Sequence, residues 1–336
     1  MTYDGMISTA TMTNPATSEA ATPRTRRARK TGSKKAADKA QDRSLQVARR
    51  LIARIERGGD APWIAPWDRG GGLPKNIVSK KSYSGFNTLM LWWVAAERGF
   101  ASPWWMTLRQ AHTRGGRVRR GQRSTYISTC WYAQVGSLNS AGEKRTESVP
   151  VERCIPLYNL EQLDGVAPPK TPRDRQNPIA RDERIERWLA STRAPIAHGG
   201  TVACYSPRHD KILMPEVARF ESSGAYYATL FHELVHYTAH ESRIGRDLEG
   251  RFGDPSYAKE ELIAEVGASF LCAEFAVPGD LRHAAYLGSW LEALNAEPRL
   301  LLRSAASAQT AIRFLNAVAE GRPTARFRRR RKRRAA

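Results

Sequence analysis

The chain has 336 residues, enough for two domains of ordinary size that each bury a core. Its 54 Lys and Arg outweigh 33 Asp and Glu, and the net charge of +21 favours polyanionic partners, nucleic acid first. No apolar run approaches the ~20 residues that cross a bilayer and no segment reads as a signal peptide, so the expectation is a cytoplasmic protein with no membrane partner.

Residues 1–40 are rich in Thr, Ala, Ser and basic side chains and poor in large apolar ones, which predicts a disordered basic arm. From about Asp42 the spacing of Leu45, Val47, Ala48, Leu51, Ile52 and Ile55 predicts a helix, ended by Gly58 and Gly59. The stretch to 164 mixes short apolar runs with Gly, Pro and Asn punctuation and holds seven of the nine tryptophans, so 41–164 reads as a compact α+β domain. Aromatic and polar residues there alternate with cations, a pattern that suits single-stranded nucleic acid, whose bases stack on rings while cations track phosphates. The candidate surface comprises Trp63, Trp67, Lys75, Asn76, Tyr83, Asn87, Trp105, Arg109, Gln110, Arg117 and Arg119. Against this stands the ordinary fate of tryptophan, which is burial in a core.

Residues 165–180 carry four prolines without apolar periodicity and read as a linker. A second domain, 181–320, is predicted as a helix near 181–191, a hairpin near 201–214 turning at Pro207–Asp210, and helices near 223–241, 255–275, 279–294 and 299–320. Asp254 followed by Pro255 makes a defined start for the second long helix. Residues 321–336 form a basic tail, a like-charge block expected to be extended. The four cysteines, Cys130, Cys154, Cys204 and Cys272, form no C-x-x-C pair and read as buried thiols in a reducing compartment.

The sharpest signal is His232-Glu233-Leu234-Val235-His236, a complete H-E-x-x-H in a helical segment. Residues four apart share a helix face, so both imidazoles can reach one Zn²⁺, and Glu233 points beside it as a candidate general base. A catalytic zinc needs a third protein ligand. His240 lies about 12 Å along the axis from His232 if the helix continues, too far to share the ion. On the following helix Glu261 and Glu265 are four apart on a face with the small residues Ala264, Ala268 and Cys272. Glu261 is assigned as ligand and Glu265 as the acceptor that orients a ligating imidazole. The reverse assignment, and Glu260 as ligand, stay open. So does the group that would stabilise an oxyanion, with Tyr226, Tyr227, Tyr257 and His240 as candidates.

The order Tyr205, Asp210-Lys211-Ile212, Pro215, Tyr226-Tyr227, the H-E-x-x-H, Arg243, Arg246, then Tyr257, Glu260-Glu261 and Glu265 resembles the metallopeptidase domain of ArdC-type antirestriction proteins. The resemblance covers most of 195–275, and several of these positions are not explained by zinc chemistry alone. The glutamate-bearing helix also resembles that of gluzincin peptidases, where a ligand Glu precedes an acidic residue by four positions. From about 45 to 164, Pro62-Trp63, Pro66-Trp67, Asn76, Tyr83 to Asn87, Trp105 to Gln110, Gly115-Gly116 and Tyr158 to Gln162 resemble the N-terminal domain of the same family, which also occurs on conjugative-plasmid primases. Cys154-Ile155-Pro156 departs from that family's more aromatic strand.

The resemblance implies a single-stranded-DNA-binding α+β module followed by a zincin-like metallopeptidase. The implied role is protection of incoming plasmid DNA from restriction during conjugation, by coating the strand, by proteolysis of an unidentified protein substrate, or both. Two rivals share most of these features. One is a DNA-coating protein with a structural zinc, against which an intact Glu233 argues. The other is a DNA-dependent repair protease.

Overall fold

The computed structural model describes residues 44–57, 72–138, 144–169, 181–248, 254–277 and 287–327. The basic arm, Trp63 and Trp67, most of the linker, the start of the helix expected at 279–294 and the tail beyond Phe327 lie outside them.

The N-terminal half opens with helix α1 over 44–56, whose Ala48, Leu51, Ile52 and Ile55 are buried as their spacing predicts. Strand β1 (Lys75–Asn76), helix α2 (Phe86–Arg98), strand β2 (Trp104–Met106), helix α3 (Leu108–Thr113) and strand β3 (Arg117–Val118) follow. A long hairpin, β4 (Thr125–Leu138) and β5 (Lys144–Asn159), and a short strand β6 (Leu163–Asp164) complete it. The main sheet has the order β1-β2-β5-β4, with β1 and β2 parallel and the remaining pairs antiparallel, while β3 and β6 form a separate ribbon.

Strand β2 lies inside this sheet and all three of its residues are buried, so it shows no polar alternation. Trp105 packs with Met90, Leu91, Val94, Ile127 and Leu157. Trp104 and Met106 join a second cluster with Ile77, Ala111, Leu160 and Leu163.

The C-terminal half comprises α4 (Glu183–Thr192), β7 (Ile196–His198), β8 (Cys204–Ser206), β9 (Lys211–Met214), α5 (Ser223–Tyr237), α6 (Pro255–Phe275), α7 (Leu287–Ala296) and α8 (Arg299–Ala319). Its sheet has the order β7-β9-β8, so β8 is an edge strand, and β8 and β9 are the predicted hairpin with its turn at 207–210. Helix α6 begins at Pro255 as expected, although Asp254 makes no side-chain capping bond. Helix α5 stops at Tyr237, short of the predicted 241, because Thr238 Oγ1 donates to the Val235 carbonyl at 2.6 Å and the chain turns. The start of the tail is also ordered, a correction to the extended block: Ala325–Phe327 form a 3₁₀ turn, and Phe327 meets Phe314 edge-on at 5.9 Å. Among the cysteines whose burial is described, Cys272 is buried as expected, whereas Cys154 and Cys204 are half-buried.

The largest hydrophobic cluster is not confined to one half. It joins α1, and Leu89 and Trp92 of α2, to α4, α5, α6 and α8, with Trp92 against Phe270 at 5.7 Å. Polar contacts cross at the same seam: the Gly85 amide donates to Gln309 at 3.2 Å, and Asn295 donates to Glu56 at 2.5 Å. Among the described residues no helix is long and apolar enough to cross a membrane.

Candidate metal centre and nucleic-acid surface

Helices α5 and α6 are buried over most of their length and pack closely, since a Cβ at Gly267 would lie 2.6 Å from Val235 Cγ2. Val235 stands between His232 and His236, so this contact sets the distance from the two imidazoles to the glutamates of α6. The Nε2 atoms of His232 and His236 are 3.1 Å apart, and Glu261 Oε2 and Oε1 lie 3.5 and 3.3 Å from them respectively. Four donors around an ion at ~2.1 Å in tetrahedral geometry are separated by about 3.4 Å. The two nitrogens and the Glu261 carboxylate, buried and with nearest approaches close to that edge length, fit a divalent metal with one position left open.

The second nitrogen of each imidazole has its own carboxylate. Glu265 Oε2 lies 3.4 Å from His232 Nδ1, and Glu260 Oε1 lies 3.3 Å from His236 Nδ1. Sequence reasoning weighed Glu260 only as a ligand and missed this role. Burial by itself raises the Glu260 pKa, but the Arg246 charge and the bond to His236 hold it below the usual carboxylate range. Burial likewise opposes charge on both imidazoles, yet hydrogen bonds to Glu261 and Glu265 raise His232 well above its ordinary value, and those to Glu260 and Glu261 raise His236.

Glu233, Cys204, Tyr205 and Tyr257 line the same cleft of about 390 Å³. Glu233 Oε2 accepts from the Tyr205 amide of edge strand β8 at 2.7 Å. Of the four oxyanion candidates, Tyr257 alone lines the cleft. Tyr226 is bonded to His198 and Arg181, Tyr227 to Glu186 and the Asp182 amide, and His240 to Ser242.

The proposed DNA surface fares unevenly. Trp105 is a correction: at 1% exposure, inside the sheet, it has no ring face for a base. Asn76 donates to Tyr83 and Gln110 at 3.2 and 3.0 Å, and Gln110 also closes the capping box of α3 on Thr107, so this trio ties β1 to α3. Asn87 pairs with the backbone of Ser128, and Lys75 shares a cavity with Glu274 of α6. Arg109, Arg117 and Arg119 are exposed.

Two family models match the chain: the N-terminal domain of anti-restriction factor ArdC over residues 41–159, and a zincin-like metallopeptidase over 183–307. A metal-free crystal structure of the antirestriction ArdC protein from plasmid R388 has 36% sequence identity and a TM-score of 0.69, with 83% of this chain and 98% of that one covered. Its Mn(II)-bound form has 35% identity and a TM-score of 0.67, with 82% and 97% covered. An uncharacterized protein of Sinorhizobium fredii, y4eC, is 36% identical over 284 residues, 81% of this chain and 91% of that protein. A DNA primase of Escherichia coli, TraC, is 38% identical over 283 residues, 79% of this chain, which spans only 26% of the primase's length. The zincin-like fold and the Mn(II)-bound relative point to a divalent metal at the donor triangle formed by His232, His236 and Glu261. Matched in both halves and along nearly the whole length of that plasmid protein, the chain belongs to the ArdC-type antirestriction family.

Proposed function

We propose that this protein binds single-stranded DNA and hydrolyses peptide bonds at a zinc site, and that it protects incoming plasmid DNA in the recipient's cytoplasm during conjugation. The observation that carries the enzymatic part is the buried triangle of His232, His236 and Glu261, which lines one open cleft together with Glu233. A purely structural zinc would need neither an open position nor a carboxylate beside it.

Zinc, when bound, supplies Lewis acidity that makes water nucleophilic near neutral pH and polarises a carbonyl. His232, His236 and Glu261 would hold it, with Glu265 and Glu260 fixing the two imidazoles through their Nδ1 atoms. Glu233, as a carboxylate, takes the proton of the attacking water and returns it to the leaving amine. Edge strand β8 borders the cleft, where an extended peptide can be held by strand addition. The exposed Arg109, Arg117 and Arg119 would contact phosphates on the N-terminal half.

The test is a proteolysis assay on the full chain with and without single-stranded DNA, paired with metal analysis and the variant Glu233→Gln. The amide keeps the shape and cannot accept the water's proton, so metal and DNA should stay bound while cleavage falls ~10²- to 10⁴-fold. Undiminished cleavage would sink the mechanism. In recipient cells the same variant separates the two protective acts: protection retained assigns it to DNA coating, protection lost to proteolysis.

A further inference from the structure

Arg243 and Arg246 leave the turn that follows α5, the first buried and the second half-buried with its side chain turned inward, and metal coordination by itself does not call for either. The turn is tightly made. The Ile244 and Arg246 amides bond back to the Thr238 and Ala239 carbonyls at 3.2 and 2.9 Å, Ile244 is buried, and Gly245 adopts a left-handed φ of 72° between the two arginines. The arginines then serve different parts of the cleft.

Arg246 is anchored by the Val235 carbonyl at 2.8 Å and Thr238 Oγ1 at 2.9 Å. Its Nη2 and Nε reach Glu260 at 2.8 and 3.0 Å, and Glu260 Oε1 is the atom that faces His236 Nδ1. The side chains of this pair are 7% and 8% exposed. A buried ion pair is a poor source of net stability compared with apolar packing, so its position directly behind a ligating imidazole is the informative feature.

Arg243 lies over the Tyr237 ring at 3.6 Å and donates to the Tyr237 carbonyl at 2.6 Å. Its guanidinium grips both oxygens of Asp210 and the Tyr205 hydroxyl, which itself donates to Asp210 at 2.8 Å. Strand β8 is thereby fixed to the end of α5, and the outward amide of Tyr205 is held against Glu233.

We propose that this turn positions the two working parts of the cleft separately, Arg246 aiming the ligand His236 through Glu260 and Arg243 aiming the base Glu233 through Asp210 and Tyr205. The inference rests on the metal-and-base reading above, and its test does not require peptidase activity.

On the full chain, zinc affinity is measured by competition with a chelating dye, and amide exchange of the β8 peptide by mass spectrometry. Arg246→Met and the isosteric Glu260→Gln should each weaken zinc binding by ~10- to 100-fold. The double variant should be no worse than either alone, as expected for residues acting in series. Arg246→Lys, which keeps the charge without the fork, should recover part of the loss. Arg243→Met should leave zinc affinity within about twofold while β8 exchange accelerates, and Arg246→Met should do the reverse. Circular dichroism identifies any variant that fails to fold, and the Lys and Gln variants then carry the comparison. Additive losses at 246 and 260, zinc affinity untouched by Arg246→Met in a folded chain, or equal effects of both arginines on zinc would overturn the proposal. A parent chain that binds no zinc would overturn the metal reading with it.

Discussion

Replacing Gly267 by Ala tests how finely the α5–α6 contact sets the metal site. The added Cβ would fall 2.6 Å from Val235 Cγ2 and 3.2 Å from Cγ1. Carbon atoms pack at about 3.5 Å or more, so the helices must part by about 0.9 Å unless Val235 moves. Val235 is fully buried, and a β-branched side chain in a helix has one strongly preferred rotamer, so turning aside is costly. On stability the terms nearly cancel: Ala in place of a helical Gly gains ~1 kcal/mol, and overpacking costs ~1–3 kcal/mol. The melting temperature is therefore a blunt readout, and the metal is a sharp one. Ligand positions tolerate only about 0.2 Å, whereas Glu261 would withdraw from His232 and His236 by several times that. Zinc affinity, read by dye competition, should fall by at least ~10-fold. Adding Val235→Ala removes both obstructing methyls and should restore much of it. Affinity within about twofold of the parent in the single variant would refute the claim that this contact sets the ligand distance.

Glu261→Ala should abolish most metal binding, while Glu265→Ala should cost ~10- to 100-fold; equal or reversed losses in dye competition would exchange the two roles. Metal affinity should fall as pH is lowered, because carboxylates raise both histidines' pKa in the metal-free chain and protons then compete for the ligand nitrogens; a flat pH profile would contradict this. Zinc at ~100-fold over its Kd should raise stability by about 2.7 kcal/mol, seen as a higher Tm that a chelator reverses. Trp105→Ala should cost ~3–5 kcal/mol of stability, whereas Arg117→Ala with Arg119→Ala should leave Tm nearly unchanged and flatten the salt dependence of single-strand binding by ~0.7 per lost phosphate contact.

What the sequence made legible follows from how local each signal is. His232, Glu233 and His236 are picked out by helical periodicity alone, and Glu261 with Glu265 by the same rule one helix later; in the structure His232, His236 and Glu261 form one donor triangle, Glu265 lies beside His232, and Glu233 lines the same cleft. The role of Glu260 was hidden because its 100° offset from Glu261 matters only once Arg246 arrives from the turn. Trp105 was misread for a related reason. A tryptophan in a short run with cations nearby looks the same whether its strand lies inside a sheet or on a surface, and only the pairing of β2 with both β1 and β5 decides it. The end of α5 at Tyr237 turned on one Thr238 hydroxyl, a competition that propensity does not resolve.

The hydrophobic cluster that joins α1 and α2 to α5, α6 and α8 has a consequence for inheritance. Two modules on a loose tether can be shuffled singly, whereas two that each supply part of the other's interior lose buried surface when separated. Cutting the chain between the matched regions would strip Leu89 and Trp92 from Phe270 and its neighbours, exposing apolar faces on both sides. Such a pair travels best as one block, and the TraC primase of Escherichia coli aligns over 283 residues at once, a stretch covering 79% of this chain within a much longer protein. The gene segment that recombination can move without penalty is set, on this view, by where the core closes rather than by where one family boundary ends and the next begins.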